Sequence, residues 1–146
     1  MFRGRFEHTI DSKGRVSIPA KFREVLGEKY DDRLILTNFD RCLVVYPYEE
    51  WRVLEEKVGS LSIVKREVKS FQRFFISGAA ECQIDKLGRI LIPPTLRNYA
   101  KLERDIVFTG MLKKFEIWAK ECWREEIKSA EVNFEGISEA LAELGL

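Results

Sequence analysis

The sequence predicts an α+β fold made from two tandem copies of one unit. Three observations carry that prediction. A ten-residue motif occurs twice, apolar strand segments follow each copy in the same order, and a helix-forming segment closes each copy. The motif reads I-D-S-K-G-R-V-S-I-P at residues 10–19 and I-D-K-L-G-R-I-L-I-P at residues 84–93. Six of its ten positions are identical: Ile10/Ile84, Asp11/Asp85, Gly14/Gly88, Arg15/Arg89, Ile18/Ile92 and Pro19/Pro93. Arg23 recurs as Arg97 at the same offset of 74. Further on the offset is 72, in Thr37/Thr109, Leu43/Phe115, Val45/Ile117, Tyr46/Trp118, Glu49/Glu121, Trp51/Trp123 and Arg52/Arg124. A two-residue insertion within residues 27–33 of the first copy accounts for the change, since turns absorb insertions easily.

Each element has its own signal. Residues 6–10 alternate apolar and polar, which is strand periodicity. Residues 11–14 are a turn cluster. Residues 15–18 form a second short strand with Val16 and Ile18 on one face. Pro19 has no N–H to give a ladder and ends it. Phe22, Val25 and Leu26 mark one face of a helix that Gly27 ends. Residues 34–37 and 43–46 are apolar strands around a turn at 38–41. Pro47 opens a helix to about Val58. The second copy repeats the pattern: strand 80–84, turn 85–88, strand 89–92, Pro93, a short helix 94–99, strands 106–108 and 115–118, and a helix from near Ala119. Between the copies, Val64, Val68, Phe71 and Phe75 recur at helical spacing within 63–76, which predicts a connecting helix. After Ser129 comes a Glu-rich tail with Ile137, Leu141 and Leu144, read as a short amphipathic helix or a partly disordered end. The division is residues 5–48 for the first repeat, 49–76 for connecting helices, 77–120 for the second repeat, and 121–146 for a C-terminal helix and acidic tail.

At 146 residues each half has too few residues for a large core of its own, so its internal twin is the obvious packing partner. Hydrophobic content of 45% and charged content of 34% are ordinary for a globular chain. No apolar run reaches membrane-spanning length, and the start M-F-R-G-R-F-E-H lacks the apolar core of a signal peptide. The expectation is an intracellular protein with no membrane partner. Cys42, Cys82 and Cys122 form no C-x-x-C pair, which argues against a disulfide framework and a zinc knuckle. His8 is the only histidine, so no histidine-rich metal site is expected.

The net charge of +1 hides an uneven distribution. Residues 1–23 carry six basic and two acidic side chains, whereas residues 119–146 carry three basic and seven acidic. A basic start suggests a polyanionic partner; a solvated surface with scattered charge is the plainer reading.

The repeated D-x-x-x-R loop is the candidate site. Gly14 and Gly88 can supply the positive φ of a tight turn. Asp11 and Asp85 can accept hydrogen bonds from loop amides and shape the loop. Arg15 and Arg89 stand at the other foot. Each can fork onto its own aspartate, or reach out to a phosphate or a guanine edge. In one reading the pair only clamps the hairpin. Against it stand Lys13 and Lys86 in the loops and Arg3 and Arg5 beside the first strand, which a structural turn does not need. Leu87 stands where the first loop has Lys13, so the first loop is expected to contribute more to anion binding. His8 is read as a partly buried strand residue, and Trp51 and Trp123 as core anchors. No glycine-rich nucleotide loop, nucleophile elbow or H-E-x-x-H occurs. No enzyme, cofactor or small-molecule substrate is expected.

With both loops placed, the chain resembles the MraZ family of bacterial transcriptional regulators. The stretch M-F-R-G-R-F-E-H-T-I-D-S-K-G-R-V-S-I-P-A-K-F-R is similar to that family almost throughout, and I-D-K-L-G-R-I-L-I-P-P-T-L-R to its second copy. The resemblance reaches to about Ile127. It implies two AbrB-like swapped-hairpin repeats joined in one pseudo-symmetric β-barrel with flanking helices. It implies a closed homo-oligomeric ring whose loops grip successive promoter repeats of double-stranded DNA. It further implies control of cell-division and cell-wall genes, its own promoter included, in the cytoplasm at the nucleoid. On that pattern the reading arginines are Arg15 and Arg89, with Asp11, Asp85 and Gly88 shaping the loops and Lys13, Gly14, Arg3, Arg5 and Lys86 beside them. Multivalency agrees with this, since one short loop makes few phosphate contacts and linked weak sites bind together. The alternative is an antitoxin-like protein-interaction module that uses the same barrel, its acidic tail wrapping a basic partner.

Overall fold

The computed structural model describes residues 1–62 and 64–146. Strands β1 (Arg5–Thr9) and β2 (Arg15–Ser17) lead into helix α1 (Ala20–Lys29), then β3 (Arg33–Phe39), β4 (Cys42–Pro47) and α2 (Tyr48–Gly59). Helix α3 (Arg66–Phe71) runs into a π-helical turn, Gln72–Ile76. The second repeat gives β5 (Ala80–Gln83), β6 (Arg89–Leu91), α4 (Pro94–Ala100), β7 (Asp105–Gly110), β8 (Phe115–Ala119) and α5 (Lys120–Val132), followed by α6 (Phe134–Glu143). The chain is thus mixed α and β with its strands antiparallel.

The strands form a six-stranded sheet in the order β1-β7-β8-β4-β3-β5 and a separate ribbon, β2-β6. Each repeat therefore lends its first strand to the other repeat's hairpin. The registers obey the sequence repeat. Phe6 pairs with Phe108 and Ala80 with Leu36; His8 pairs with Ile106 and Cys82 with Leu34. Adding 74 to the β1 member and subtracting 72 from the β7 member turns each first pair into the second. Two pairs map onto themselves, Val16 with Ile90 and Val44 with Glu116, so a pseudo-twofold passes through both.

Proline sets the corners. Pro19, Pro47 and Pro93 each precede a helix with φ between −58° and −52° and ψ between 139° and 146°. Each ends a strand without losing an N–H bond and hands the chain to the helix. Helix α1 has ten residues and α4 seven, and α4 ends on Lys101 at φ 57°. The two-residue insertion thus falls at the end of α1. The β3–β4 turn is Asp40 and Arg41, both at positive φ, which suits the twist of a two-residue hairpin.

One core fills the space between sheet, ribbon and helices. Val16, Ile18, Ile90 and Ile92 from the ribbon meet Phe22, Leu26 and Leu96 from α1 and α4, and Leu36, Leu43, Phe108 and Ile117 from the sheet. Burying each such side chain stabilises by about 1.5–3 kcal/mol. Phe2 is buried with them, edge-on to Phe22, and pins the N-terminus to Leu112.

Two expectations change. The sheet does not close into a barrel, because among the described residues β1 and β5 are its edges, each with one paired neighbour. The strands β2 and β6 that could bridge those edges are three residues long, stop before proline and pair with each other. The connecting helix is shorter than predicted: Ile63 lies outside the described residues, Val64 is exposed before Lys65 in extended backbone, and α3 begins at Arg66. The π-helical turn then stacks Phe71 on Phe75 and seats Phe75 against Trp51. The tail forms α6, with no buried residue.

Candidate nucleic-acid interface

The two loops are built alike, atom for atom. Gly14 donates its N–H to Asp11 O, and Gly88 to Asp85 O, each at 3.0 Å. Asp11 N donates to Arg15 O and Asp85 N to Arg89 O, closing each loop. Gly14 and Gly88 sit at φ 89° and 77°, a region that L side chains rarely adopt. One carboxylate oxygen of Asp11 accepts the N–H groups of Lys13 and Arg15, both at 2.9 Å. Asp85 does the same for Leu87 and Arg89. The other oxygen takes the guanidinium: Arg15 Nε donates to Asp11 Oδ2 at 2.7 Å, and Arg89 Nε to Asp85 Oδ2 at 3.2 Å. These donors, led by the Arg15 backbone N–H, hold the Asp11 carboxyl down at about 2. Asp85 is lowered too, led by the Arg89 backbone N–H.

Each guanidinium is clamped by Nε alone. Among the described residues, neither terminal nitrogen of Arg15 or Arg89 has a protein hydrogen-bond partner. Val16 and Ile90 point into the core, so Arg15, Ser17, Arg89 and Leu91 share the ribbon's outer face. Arg15 faces Leu91, which makes Arg15 and Arg89 diagonal neighbours, roughly 7–8 Å apart at the backbone. The loops leave the ribbon at its opposite ends.

Two arginines noted in sequence only as a repeated pair complete the loops. Arg23 Nε donates to Ile18 O at 3.1 Å and Arg97 Nε to Ile92 O at 3.0 Å. Ile18 N in turn donates to Gly88 O, and Ile92 N to Gly14 O. Each arginine thus braces the other repeat's loop. The recurrence of Arg23 as Arg97 was the available signal; which loop each would meet was not in it.

The flanks place their charges differently. Ile10 N donates to Arg104 O and Ile84 N to Asp32 O, so Arg104 and Asp32 occupy equivalent backbone positions. A groove beside Arg104 is lined by Lys101, Lys120 and Arg124 as well as Glu103, Asp105 and Glu121. The cavity beside the second loop brings together Arg23, Asp31, Asp32, Asp85 and Lys86. Asp31 is paired with Arg33, and Asp32 accepts from Gln83.

The structure brings Asp11, Lys13, Gly14, Arg15, Asp85, Lys86, Gly88 and Arg89 to the ends of the ribbon. It places Arg3 and Arg5 elsewhere. Arg5 opens β1, six residues before Asp11 and roughly 20 Å along an extended strand. Its guanidinium lies 5.2 Å above the ring of Trp123. Trp51 is buried, but Trp123 is only half-buried, so just one of the two is the core anchor predicted. His8 is half-buried in β1, edge-on to Phe108, and burial lowers its pKa. The cysteines are free; burial pushes the Cys82 thiol up to about 11 and Cys42 higher still. Among the described residues no cluster of His, Cys, Asp and Glu could hold a metal ion, and no helix is long and apolar enough to cross a membrane.

A protein-family model described as "MraZ protein, putative antitoxin-like" matches residues 1–74 and again 75–144. This chain belongs to the MraZ family. It is 52% identical over 141 residues to the transcriptional regulator MraZ of Caldanaerobacter subterraneus subsp. tengcongensis, covering 97% of this chain and 96% of that one. It is 50% identical over 146 residues to the transcriptional regulator MraZ of Thermoanaerobacter sp. strain X514, covering the whole of both. The family is thus one of transcriptional regulators rather than enzymes.

Proposed function

We propose that this chain is a sequence-specific DNA-binding regulator that holds double-stranded promoter repeats through its D-x-x-x-R loops. The observation that carries the reading is the double use of Arg15. Its Nε is clamped by Asp11, while both terminal nitrogens are without a protein partner among the described residues. A guanidinium oriented in this way presents a two-pronged donor edge to guanine O6 and N7 or to a phosphate. Holding the side chain in advance lowers the entropy lost on binding. Lys13 and Lys86 supply phosphate contacts, Gly14 and Gly88 allow close approach, and Asp85 holds Arg89 as Asp11 holds Arg15. Arg3 and Arg5 add positive field at a distance rather than loop contacts.

The repeats read as AbrB-like swapped-hairpin units, with residues 5–48 and 77–120 as the two copies, 49–76 as connecting helices and 121–146 as helix and tail. A ring fits the surface. Phe39 is exposed at the β3–β4 turn with Phe74 of the adjoining π-helical turn, and Met1, Met111 and Leu112 are exposed at the β7–β8 turn. Those turns lie at opposite ends of the antiparallel β4–β8 pair. Two different apolar ends favour head-to-tail association, which closes into a ring when the rotation allows. The proposed targets are cell-division and cell-wall genes, its own promoter included, in the cytoplasm at the nucleoid. The test is a titration against the promoter region upstream of its own gene at two salt concentrations, with wild type and Arg15→Ala side by side. Tight, salt-dependent binding lost in the variant is expected. Equal binding by the variant would show the site assignment to be wrong.

One observation favours a second reading, a protein-interaction module. Phe134, Ile137, Leu141 and Leu144 form an exposed stripe along α6. A co-purifying protein of defined stoichiometry, lost when residues 129–146 are removed, is the result that would support it.

A further inference from the structure

Gly14 is packed by an arginine of the other repeat. A Cβ built on Gly14 would fall 2.6 Å from both Cζ and Nε of Arg97, so the guanidinium lies directly on the first loop. Arg97 is half-buried, its Nε is held by Ile92 O, and the peptide of Ile92 donates to Gly14 O. Among the described residues no carboxylate forms an ion pair with it. A guanidinium held in place without a counter-charge is open to an anion. The equivalent Arg23 on the second loop is set differently. Like Arg97 it forms no ion pair among the described residues, but its cavity holds Asp32, which has no cationic partner there, beside Asp31 and Asp85, which are paired with Arg33 and Arg89. At the matching backbone position the first loop has Arg104.

Resting on the DNA-binding reading, we propose that Arg97 is a phosphate-binding residue of the first loop, contributed by the second repeat. Its terminal nitrogens, which have no protein hydrogen-bond partner among the described residues, take a backbone phosphate together with Lys13 at the loop tip, next to the base contact of Arg15. Arg23 takes none, because Asp32 stands on that flank where the first loop has Arg104. Each subunit then has one such phosphate site, and it is complete only when both repeats are folded together.

The experiment uses the full chain and two duplexes of equal length, one from its own upstream promoter and one of random sequence, over a range of salt. Arg97→Ala is expected to weaken binding to both by a similar factor, roughly tenfold, since phosphate contacts carry no sequence information. The slope of log affinity against log salt should become shallower by about one per subunit that touches the duplex. Arg97→Lys should restore the slope, and Arg23→Ala should leave it at the wild-type value. An Arg97→Ala protein with the wild-type slope overturns the proposal even if its affinity falls, because a bracing role alone removes no counter-ion. If Arg97→Ala does not fold, the comparison of Arg97→Lys with Arg97→Gln decides, with equal slopes overturning it. A wild-type protein that binds neither duplex at low salt overturns both this proposal and the reading beneath it. Promoter binding by wild type with an unchanged slope in Arg97→Ala overturns this proposal alone.

Discussion

The first loop, residues 11–15, and the second, residues 85–89, carry the same five hydrogen bonds and the same glycine conformation, yet they sit in different fields. Arg104 flanks one and Asp32 the other, and Lys13 at one tip is matched by exposed Leu87 at the other. The outer faces diverge as well. In the first repeat the π-helical turn lays Phe75 against Trp51 and buries both. In the second, Trp123 is covered by Arg5 and stays half-exposed. Duplication thus preserved the backbone, which every hydrogen bond and core contact constrains. The surroundings, where a charge can change at little cost in stability, were free to separate in role.

The comparison breaks most visibly at the arginines. Arg15→Ala should abolish measurable promoter binding, because about 1–3 kcal/mol per bidentate contact is lost in every engaged subunit. Arg89→Ala should do less, and equal losses in the two titrations would erase the distinction between the loops. The tryptophans come next. Trp51→Ala should cost about 3–5 kcal/mol in denaturant unfolding and Trp123→Ala clearly less, since only the first leaves a closed cavity.

Glycine sharpens the picture within each loop. Gly14→Ala and Gly88→Ala should each destabilise by about 1–3 kcal/mol, the backbone being held at positive φ. Gly14→Ala should weaken DNA binding more than Gly88→Ala, by displacing Arg97. Removing the acidic flank with Asp31→Asn and Asp32→Asn together should raise affinity for DNA modestly and steepen its salt dependence. No change would mean that the flank does not set the difference.

The smallest effect concerns pH. Folding lowers the Asp11 carboxyl from the ordinary 3.8 to about 2. A carboxyl lowered on folding contributes stability above its unfolded value and loses it as pH falls through the folded one. The stability difference between wild type and Asp11→Asn should therefore be flat from pH 7 to pH 5. It should shrink below about pH 4 and vanish near pH 2. A difference already shrinking at pH 6 would point to another group.

Much of this molecule is legible in the chain. The repeat, its shift of offset, Gly14 and Gly88 at positive φ, and the three prolines that turn strand into helix all follow from local rules. Backbone dihedrals and missing N–H groups act within a few residues. The shaping of the loop by Asp11 was legible for the same reason, since the amides it accepts lie two and four residues on. Pairing between distant segments was not. Phe6 pairs with Phe108 rather than with its own repeat's hairpin, and nothing in its alternation distinguishes the two partners. The sequence likewise left open whether Arg15 is held before it binds, whether the strands close into a barrel, and which loop Arg23 and Arg97 would brace.

By itself the sequence determined the units: two loops, two hairpins and the helices that follow them. Only the tertiary structure decided how the units exchange strands, that Arg97 of one repeat lies on Gly14 of the other, and that Asp32 and Arg104 face opposite loops. The physical reason is range. Turn and strand preferences are set by neighbours in the chain, whereas exchange is set by which closure buries both ribbon strands under both helices at once. That cooperative sum has no local signature.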